Sequence, residues 1–350
     1  MHRRNFLIAG GATVARLALP AGVVAIAGCA GTVAEPVGFD GATMGTGYAV
    51  RLRGHPGDRQ LAQVRTAVDA ALREVDARMS TYRDSSELMG LNRLSAATWQ
   101  PLSRATFSVV AEAWNMSRES GGAFDATVGP LVDLWGFGPP GSISAAPAPA
   151  AVDGLMERVG WNALELDLNA GRVRKQRDNL SLDLSGIAKG YGVDSVAAVL
   201  DAHGIDDYLI EIGGELRSKG ARPGGKSWRV AIERPEVGVR AVQRVVDLAG
   251  GAIATSGDYR NFFEDGEARY AHTLDPRSGR PVQHTLASVS VIDGSAMTAD
   301  AASTTLMVMG PDAGYDWAER RGLAAHFLIR ERGGHVVERW TPAFERHLVI

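Results

Sequence analysis

The sequence has few cysteines and little net charge, and each shortage excludes a class of protein. Its 350 residues include one cysteine, Cys29, so a disulfide scaffold is impossible. The formal net charge of −3 leaves no basic surface for nucleic acid. Hydrophobic residues make up 45% and charged residues 22%, which excludes disorder as the main state. A chain of this length and composition buries a sizeable core, and no internal repeat divides it.

The first 28 residues have the pattern of an export signal. They contain three arginines and no acidic residue, and their apolar stretch is too short and too weakly apolar to indicate a membrane span. Arg3-Arg4-Asn5-Phe6-Leu7 resembles the twin-arginine export motif, with Ile8 in place of its usual lysine, and Ile26-Ala27-Gly28-Cys29 resembles a bacterial lipobox. We therefore predict a signal peptide over 1–28, lipidation of Cys29, a tether over 29–42 and a folded domain over 43–350. Such a protein is exported to the periplasmic side and anchored in the membrane by acyl chains; an ordinary secretory signal with a chance cysteine is the alternative.

Helical and strand-like patterns occupy different parts of the mature chain. Leu61, Val64, Val68, Leu72 and Val75 recur at helical spacing, which predicts a helix over 60–79. After residue 228 the predicted strands follow one another closely, and this segregation of helices from strands predicts an α+β fold. The other predicted elements are helices near 103–119 and 297–308, strands at 47–52, 180–184, 208–212, 228–233, 243–248, 252–256, 269–274 and 286–292, a surface loop at 139–151 and a hairpin at Gly333-Gly334.

Two glycine-containing stretches have the residue types of a ligand site. Residues 121–138 combine flexible backbone, aromatic side chains and Asp125 as a hydrogen-bond acceptor, which suits a slot for a flat ring; a packed loop with core aromatics is the alternative. Residues 183–191 run from the end of a predicted strand into a helix, where free N–H groups attract phosphate and Lys189 adds a cation. The glycine spacing there fits neither a Walker loop nor a dinucleotide fingerprint, and a generic strand-to-helix turn is the alternative.

Two later stretches contain candidate catalytic and metal-binding groups. His272 lies between the turns at 255–258 and 275–276, and a pKa near neutrality suits it to acid–base work; a structural histidine at a strand end is the alternative. Asp300 and Thr304 are four residues apart and share one face of a predicted helix. A carboxylate and a hydroxyl are hard oxygen ligands that can hold Mg²⁺ together with phosphate oxygens. The alternative is an acid that complements the dipole at a helix N-terminus.

Taken in order, these stretches resemble the ApbE family, the FAD:protein FMN transferases. The resemblance covers residues 41–348, and its specificity comes from several motifs in register, since no single motif decides it. The matching residues are Met44-Gly45-Thr46, Ser80-Thr81-Tyr82, Phe124-Asp125, Val128-Gly129-Pro130, Trp135-Gly136-Phe137-Gly138, Asp183-Leu184-Ser185-Gly186-Ile187-Ala188-Lys189-Gly190, Gly213-Gly214-Glu215, Thr255-Ser256-Gly257-Asp258-Tyr259, His272, Asp275-Pro276, Gly279, Ala299-Asp300 and Thr304.

The resemblance implies a fold, a reaction and a set of site residues. The implied fold is a single T-fold-like α+β domain with mixed or antiparallel sheets and flanking helices. The implied reaction is Mg²⁺-dependent: FAD is cleaved, FMN is attached through a phosphoester to a Ser or Thr of an exported flavoprotein, and AMP leaves. His272 matches the residue that activates the acceptor hydroxyl, while Asp300, Thr304 and the Gly186 carbonyl match the Mg²⁺ ligands. The positions matched to FAD binding are Met44, Tyr82, Ala123, Phe124, Asp125, Asp183, Lys189 and Leu274.

Some positions depart from the family pattern, and other functions would use the same residues. Ala126 stands where the family often has proline, Glu211 where asparagine is common, and Thr273-Leu274 replaces an aliphatic pair. None of these changes removes a metal ligand or the candidate base. One alternative is a FAD pyrophosphatase, in which water replaces the protein hydroxyl. Another is a lipoprotein that binds flavin without turnover, against which the presence of Asp300 and Thr304 argues.

We expect the mature chain to begin at an acylated Cys29, because the single cysteine stands at the lipobox position. Mass spectrometry of the protein extracted from membranes should find the acyl groups on this N-terminal cysteine. Replacing Arg3 and Arg4 with lysine should block export if the twin-arginine route is used. An unmodified Cys29, or cleavage at another position, would contradict the lipoprotein assignment.

Overall fold

The computed structural model describes residues 36–238, 241–266, 268–331 and 333–349. The predicted signal peptide and Cys29 lie outside these residues. No helix in this part of the chain has the length and apolar character needed to cross a membrane.

The strands are β1 (Val37–Thr43), β2 (Thr46–Leu52), β3 (Gln100–Pro101), β4 (Leu164–Asp167), β5 (Arg172–Lys175), β6 (Tyr208–Ile212), β7 (Glu215–Lys219), β8 (Arg229–Glu233), β9 (Val242–Asp247), β10 (Ala252–Gly257), β11 (Phe262–Asp265), β12 (Ala268–Ala271), β13 (Leu274–Asp275), β14 (Arg280–Pro281), β15 (Leu286–Asp293), β16 (Ala324–Arg330) and β17 (Val336–Trp340). The α-helices are α1 (Asp58–Met79), α2 (Glu87–Arg93), α3 (Arg104–Glu119), α4 (Gly129–Leu134), α5 (Pro149–Met156), α6 (Ala188–Ala202), α7 (Ala296–Met309) and α8 (Pro311–Arg320).

Eight strands form one sheet in which every pair of neighbours is antiparallel. Their spatial order is β1-β2-β6-β7-β10-β15-β16-β17. The pairs β8–β9, β11–β12 and β13–β14 form separate two-stranded sheets, and β3, β5 and β4 form a small three-stranded one. The predicted α+β fold with antiparallel sheets and flanking helices is therefore confirmed.

The strands of the large sheet send alternate side chains into two apolar layers. Along β6, Ile210 and Ile212 join one buried cluster with Val193 of α6, whereas Leu209 belongs to a cluster on the opposite face. The helices α1, α6 and α7 cover the first face. The β8–β9 hairpin covers the second face, where Ile232 packs in the same cluster as Leu209. Burial of both faces holds the sheet in the middle of the molecule.

A smaller apolar cluster joins α4, α5 and the β11–β12 hairpin. Trp135 lies in this cluster, and its ring centroid is 5.4 Å from that of Tyr270. The indole N–H of Trp135 donates to the Gly279 carbonyl at 2.9 Å, which satisfies its buried polar atom. Leu274 belongs to the same cluster and also faces the cavity described below. This cluster therefore forms part of the wall around the candidate site.

Most predicted elements have counterparts in the structure. The helices predicted over 60–79, near 103–119 and near 297–308 are confirmed as α1, α3 and α7. The strand predicted at 208–212 is β6, and the predicted hairpin joins β16 to β17. The loop predicted over 139–151 ends earlier, because α5 begins at Pro149, where the fixed φ of proline suits a first helical turn.

The prediction of a tether over 29–42 is wrong from Val37 onward, because β1 begins there. β1 pairs with β2 along all seven of its residues. Phe39 is buried and lies edge-on to Tyr48. Gly41 lies so close to the same ring that a Cβ at Gly41 would come within 2.3 Å of it. Since the strand is rich in Gly, Ala and Thr, its sequence shows no alternation of apolar residues, and its pairing with β2 decides its conformation.

The strand predicted over 180–184 is also absent, although its leucines alternate and are buried. The backbone of this segment bonds to side chains instead of to another strand. The Asn92 amide donates to Leu182 O at 2.9 Å and accepts the Leu182 N–H at 2.8 Å. The buried ammonium of Lys175 donates to Leu180 O at 3.1 Å. The segment therefore leads Asp183 to the start of α6 without forming a strand before that helix.

Candidate active site

One cavity collects most of the predicted site residues. Its volume is about 580 Å³. The turn between β6 and β7, the start of α6, one face of α7, and β10 all contribute to its wall. The predicted residues in the wall are Ala123, Phe124, Asp125, Asp183, Gly186, Lys189, His272, Leu274, Asp300 and Thr304.

Two predicted flavin contacts lie outside this wall. Met44 lies at the turn between β1 and β2 with a φ of 48°, and its sulfur would come within 3.3 Å of a Cβ at Gly192 of α6. Tyr82 is 68% exposed. Partial burial raises the pKa of Tyr82, and the charges of Asp183 and Asp133 add to this shift. The flavin-binding roles of Met44 and Tyr82 stay predictions.

A buried ion cluster lies in the cavity wall. The ammonium of Lys189 is 2.7 Å from Glu215 Oε1 and 3.7 Å from Asp300 Oδ1, and both acidic side chains are 4% exposed. The other oxygen of Asp300 accepts the Gly190 N–H at 2.9 Å. Burial lowers the pKa of Lys189, but the charges of Asp300 and Glu215 outweigh burial and bring it above its ordinary value. The cluster therefore holds a charged ammonium at the cavity.

A close approach of α6 to α7 brings this cluster together. A Cβ at Gly190 would lie 2.2 Å from the Ala296 carbonyl oxygen and 2.8 Å from the Asp300 Cβ. Any larger residue at this position would force the two helices apart. Glycine at position 190 is therefore what allows Lys189 of α6 to reach Asp300 of α7.

The three oxygen donors predicted for Mg²⁺ are Asp300, which belongs to the ion cluster, and the neighbouring Thr304 and Gly186. Thr304 Oγ1 is 3.5 Å from Gly186 O, and Asp300 lies one turn earlier on α7. A carbonyl, a hydroxyl and a carboxylate are hard donors that suit a cation whose shell is completed by water and phosphate oxygens. Among the described residues, no three His, Cys, Asp or Glu side chains form a metal-binding group. The donor set fits Mg²⁺ bound together with a phosphate ligand.

His272 interrupts the strand predicted over 269–274, because β12 ends before it and β13 begins at Leu274. Its ring faces the cavity, and Nδ1 lies 3.1 Å from Asn261 O. A carbonyl oxygen only accepts, so in the neutral ring Nδ1 carries the proton and Nε2 keeps its lone pair. His272 keeps access to solvent through the cavity, and the protein groups packed around its ring lower its pKa. The hydrogen bond to Asn261 opposes this shift, and the charge of Lys189 adds to it. His272 is therefore neutral near pH 7, in the state that accepts a proton.

Asp125 fixes the loop that presents Phe124 to the cavity. Its Oδ1 accepts the Thr127 N–H at 2.8 Å and the Thr127 hydroxyl at 2.7 Å, and its Oδ2 accepts the Trp161 N–H at 2.8 Å. Burial raises the pKa of Asp125, and these hydrogen bonds oppose the rise. Most of the acceptor capacity of Asp125 thus serves the loop, which leaves one lone pair of Oδ2 for a ligand.

Comparison with known proteins agrees with this geometry. The model of the ApbE family matches residues 44–327. The chain belongs to the ApbE family. A Vibrio cholerae protein named FAD:protein FMN transferase is 41% identical over 314 residues, which cover 90% of this chain and 93% of that protein. The solved flavin transferase ApbE from Vibrio cholerae superposes with a TM-score of 0.83 at 40% identity, covering 90% of this chain and 99% of that one. For the apo flavinyl transferase ApbE from Pseudomonas stutzeri, the TM-score is 0.80 at 41% identity, with 90% and 97% covered.

This ApbE-family chain also brings residues to the site to which the sequence assigned no role. Glu215 follows Gly213 and Gly214, whose φ values of 62° and 111° form the turn that directs it toward Lys189. The Gly213-Gly214-Glu215 motif is the feature of the sequence that could have indicated a role for Glu215. Ser256 lies 3.4 Å from Thr304 Oγ1, and Asn261 contributes a backbone carbonyl, which no sequence pattern reveals.

We expect Lys189→Met to lower the free energy of unfolding of this ApbE-family chain by about 3 kcal/mol, because it leaves two buried carboxylates without their cation. The loss should grow as the pH rises, since burial raises the pKa of Glu215 and its protonation at low pH removes one of the charges. Urea denaturation at pH 5 and pH 8 measures both effects.

Two further variants test this explanation. Lys189→Met combined with Glu215→Gln should recover much of the lost stability, because it removes one of the unpaired carboxylates. Lys219→Met is the matched control, since Lys219 also contacts two carboxylates, those of Asp201 and Asp206, but at the surface. Its urea midpoint should stay close to that of the wild type. Equal losses in Lys189→Met and Lys219→Met would contradict a stabilising role for the buried cluster.

Proposed function

We propose that this chain cleaves FAD, transfers FMN through a phosphoester to a Ser or Thr hydroxyl of a target protein, and releases AMP. The proposal rests on one observation: a cation, a set of oxygen donors and a candidate base line the same cavity. Lys189 provides a half-buried cation, Asp300 with Thr304 and Gly186 provides hard oxygen donors, and His272 provides a neutral base. The relatives named FAD:protein FMN transferase support the same reaction.

The positive side of the site suits a pyrophosphate. The Lys189 ammonium, held by Glu215 and Asp300, can bind and orient phosphate oxygens at the cavity. Mg²⁺ would be held by Asp300, the Thr304 hydroxyl and the Gly186 carbonyl, where it would offset negative charge on the phosphates. The loop carrying Ala123 and Phe124, together with Leu274, offers apolar surface for a ring of FAD. These residues would bind and position FAD for cleavage of the pyrophosphate.

We assign the activation of the acceptor hydroxyl to His272. A Ser or Thr hydroxyl is a weak nucleophile and gains from a base that removes its proton as it attacks. With Nδ1 bonded to Asn261 O, Nε2 is the atom that takes this proton. The acceptor oxygen forms a bond to the phosphorus nearer the flavin, the bond from that phosphorus to the bridging oxygen breaks, and AMP leaves as an anion.

The proposed setting is the periplasmic side of a bacterial membrane. It rests on the twin-arginine-like motif and on Cys29 at the lipobox position. A lipid-anchored transferase would meet exported flavoproteins after their own export. The targets we propose are therefore exported flavoproteins with an accessible Ser or Thr.

Incubation of the purified mature chain with FAD, Mg²⁺ and an apo flavoprotein acceptor should give a fluorescent acceptor band in a denaturing gel and an equal amount of AMP. Asp300→Asn should lose most of this activity, because an amide supplies only a dipole where Mg²⁺ needs an anionic ligand. Asp312→Asn is the control, since Asp312 is an exposed residue of α8 whose carboxylate pairs with Arg339.

The same assay separates the alternatives. AMP without acceptor fluorescence would identify a FAD pyrophosphatase, and FAD retained without either product would identify a flavin-storage protein. Full activity of Asp300→Asn in buffer freed of other metals would remove Asp300 from the metal site.

We expect His272→Ala to slow flavin transfer by about a hundred- to ten-thousand-fold, the usual contribution of a general base. FAD affinity should change little, because Lys189 still binds the pyrophosphate. The wild-type rate should rise with pH through a pKa below the ordinary histidine value and stay flat above it, since the pKa of His272 is lowered and the neutral ring is the active form. Initial transfer rates from pH 5 to 8 and titration of FAD fluorescence measure these effects.

His203→Ala provides the matched control, because His203 also bonds a backbone carbonyl through Nδ1 but lies at the C-terminal end of α6. This variant should keep the wild-type rate and pH profile. If His272→Ala instead loses FAD affinity together with rate and keeps the wild-type pH dependence, the role of general base is wrong.

A further inference from the structure

The cavity has a part that none of the predicted flavin contacts line. We call it the β8–β9 wing, and it is lined by Val230, Ile232, Val242, Tyr259 and Arg260. Val230 and Ile232 belong to the apolar layer on the β8–β9 face of the large sheet. Phe124, one of the residues matched to FAD, belongs to the layer on the helix-covered face. The cavity therefore extends from one face of the sheet to the other.

The β8–β9 wing adjoins the groups proposed to carry out the chemistry. Asn261, which directly follows Arg260, accepts the Nδ1–H of His272. On the other side, Ser256 of β10 lies 3.4 Å from Thr304, one of the proposed metal ligands. A molecule in this wing would thus reach the candidate base and the phosphate-binding centre at once.

Within the part of the chain that the structure describes, β10 presents to the cavity a backbone edge that has no strand partner beyond Ile253. It pairs with β15 along all six of its residues, but with β7 at Ala252 and Ile253 alone. The Ser218 N–H donates to Gly251 O, so the alternation of a strand directs the backbone groups of Thr255 and Gly257 toward the same edge. Both residues line the cavity. Such an edge can form main-chain hydrogen bonds with an added extended segment.

The wall of the wing suits a peptide better than a second small charged ligand. Val242 is 42% exposed at the rim, and the buried Val230, Ile232 and Tyr259 provide an apolar interior. Arg260 already pairs with Glu233, so the charges at the rim are balanced. An apolar slot next to an open strand edge binds small apolar side chains of an extended chain.

We infer that the β8–β9 wing binds the acceptor segment of the target protein in an extended conformation, with its Ser or Thr hydroxyl beside His272. This inference rests on the proposed function, because transfer between FAD and a protein requires two substrates to reach one centre by separate paths. From this position the acceptor hydroxyl passes its proton to His272 and its oxygen bonds to the phosphorus nearer the flavin. The bond from that phosphorus to the bridging oxygen breaks, and AMP departs from the part of the cavity that the predicted FAD contacts line.

The first test places a charge in the wing. Val242→Glu should raise the KM for an apo flavoprotein acceptor about tenfold or more, because the acceptor would bury an unpaired carboxylate. The KM for FAD, the FAD affinity and the urea midpoint should stay near wild type, since Val242 is a rim residue. Val337→Glu is the matched control: it introduces the same charge at a valine of β17 that is 38% exposed and outside the cavity wall.

The second test detects whether the acceptor segment lies close to position 242, and it does not rely on activity. Cys29 is the single cysteine of the chain, so replacing it with serine leaves a background for one new cysteine at position 242 or 337. An acceptor whose reactive threonine is replaced with cysteine should form a disulfide or a short maleimide cross-link with Val242→Cys. The Val337→Cys protein should give no cross-link under the same conditions.

The two tests separate this inference from the proposed function. If the wild type transfers FMN but Val242→Glu keeps the wild-type acceptor KM, or the cross-link forms equally at position 337, the wing is not the acceptor site and the proposed function stands. If the wild type modifies no acceptor and Val242→Cys forms no cross-link, both the function and the inference fail. A raised acceptor KM in Val242→Glu alone, with a cross-link at position 242 alone, supports the inference.

Discussion

The candidate site depends on the Lys189 ammonium lying between two buried carboxylates. Glu215 belongs to β7 and Asp300 to α7, while Lys189 itself belongs to α6, so one set of charges joins three elements of the fold. Two buried acids would destabilise the folded state if they were unpaired, and a buried ammonium alone would lose its proton. The ammonium and the two carboxylates therefore stabilise one another in their charged states. One oxygen, Glu215 Oε2, has no hydrogen-bond partner within the described residues, so this polar wall keeps an acceptor for a ligand or water.

The helix pair α6 and α7 makes this arrangement possible. Near their contact at Gly190, Asp194 of α6 accepts the N–H groups of Ala296 and Met297 at 3.0 Å and so caps the start of α7. The same carboxylate pairs with Arg217 of β7. The register between α6, α7 and β7 is thus set by polar contacts in the first two turns of α6, and it fixes Asp300 and Thr304 relative to the cavity.

The candidate base approaches the site from a different part of the chain. His272 is oriented by Asn261, and the preceding Asp258 forms a two-pronged ion pair with Arg330 of β16. The segment 258–261 is therefore attached to the sheet at one end and holds the imidazole at the other. This separation fits the proposal that the cavity binds the phosphate-carrying substrate on the α6–α7 side and a second substrate on the β8–β9 side.

The amino-acid sequence by itself determined the fold class, the long amphipathic helices, most strands after residue 228 and the family, because these follow from periodicity and from motifs read along the chain. It also named ten residues that meet in the cavity wall. Only the tertiary structure decided that Val37–Thr43 is a strand and that 180–184 is not, since pairing with β2 and capture by Asn92 override the local pattern. It likewise revealed Glu215 as the partner of Lys189, Asn261 as the partner of His272 and the open edge of β10. These depend on contacts between residues far apart in sequence, and a backbone carbonyl or an unpaired strand edge has no signature in residue type.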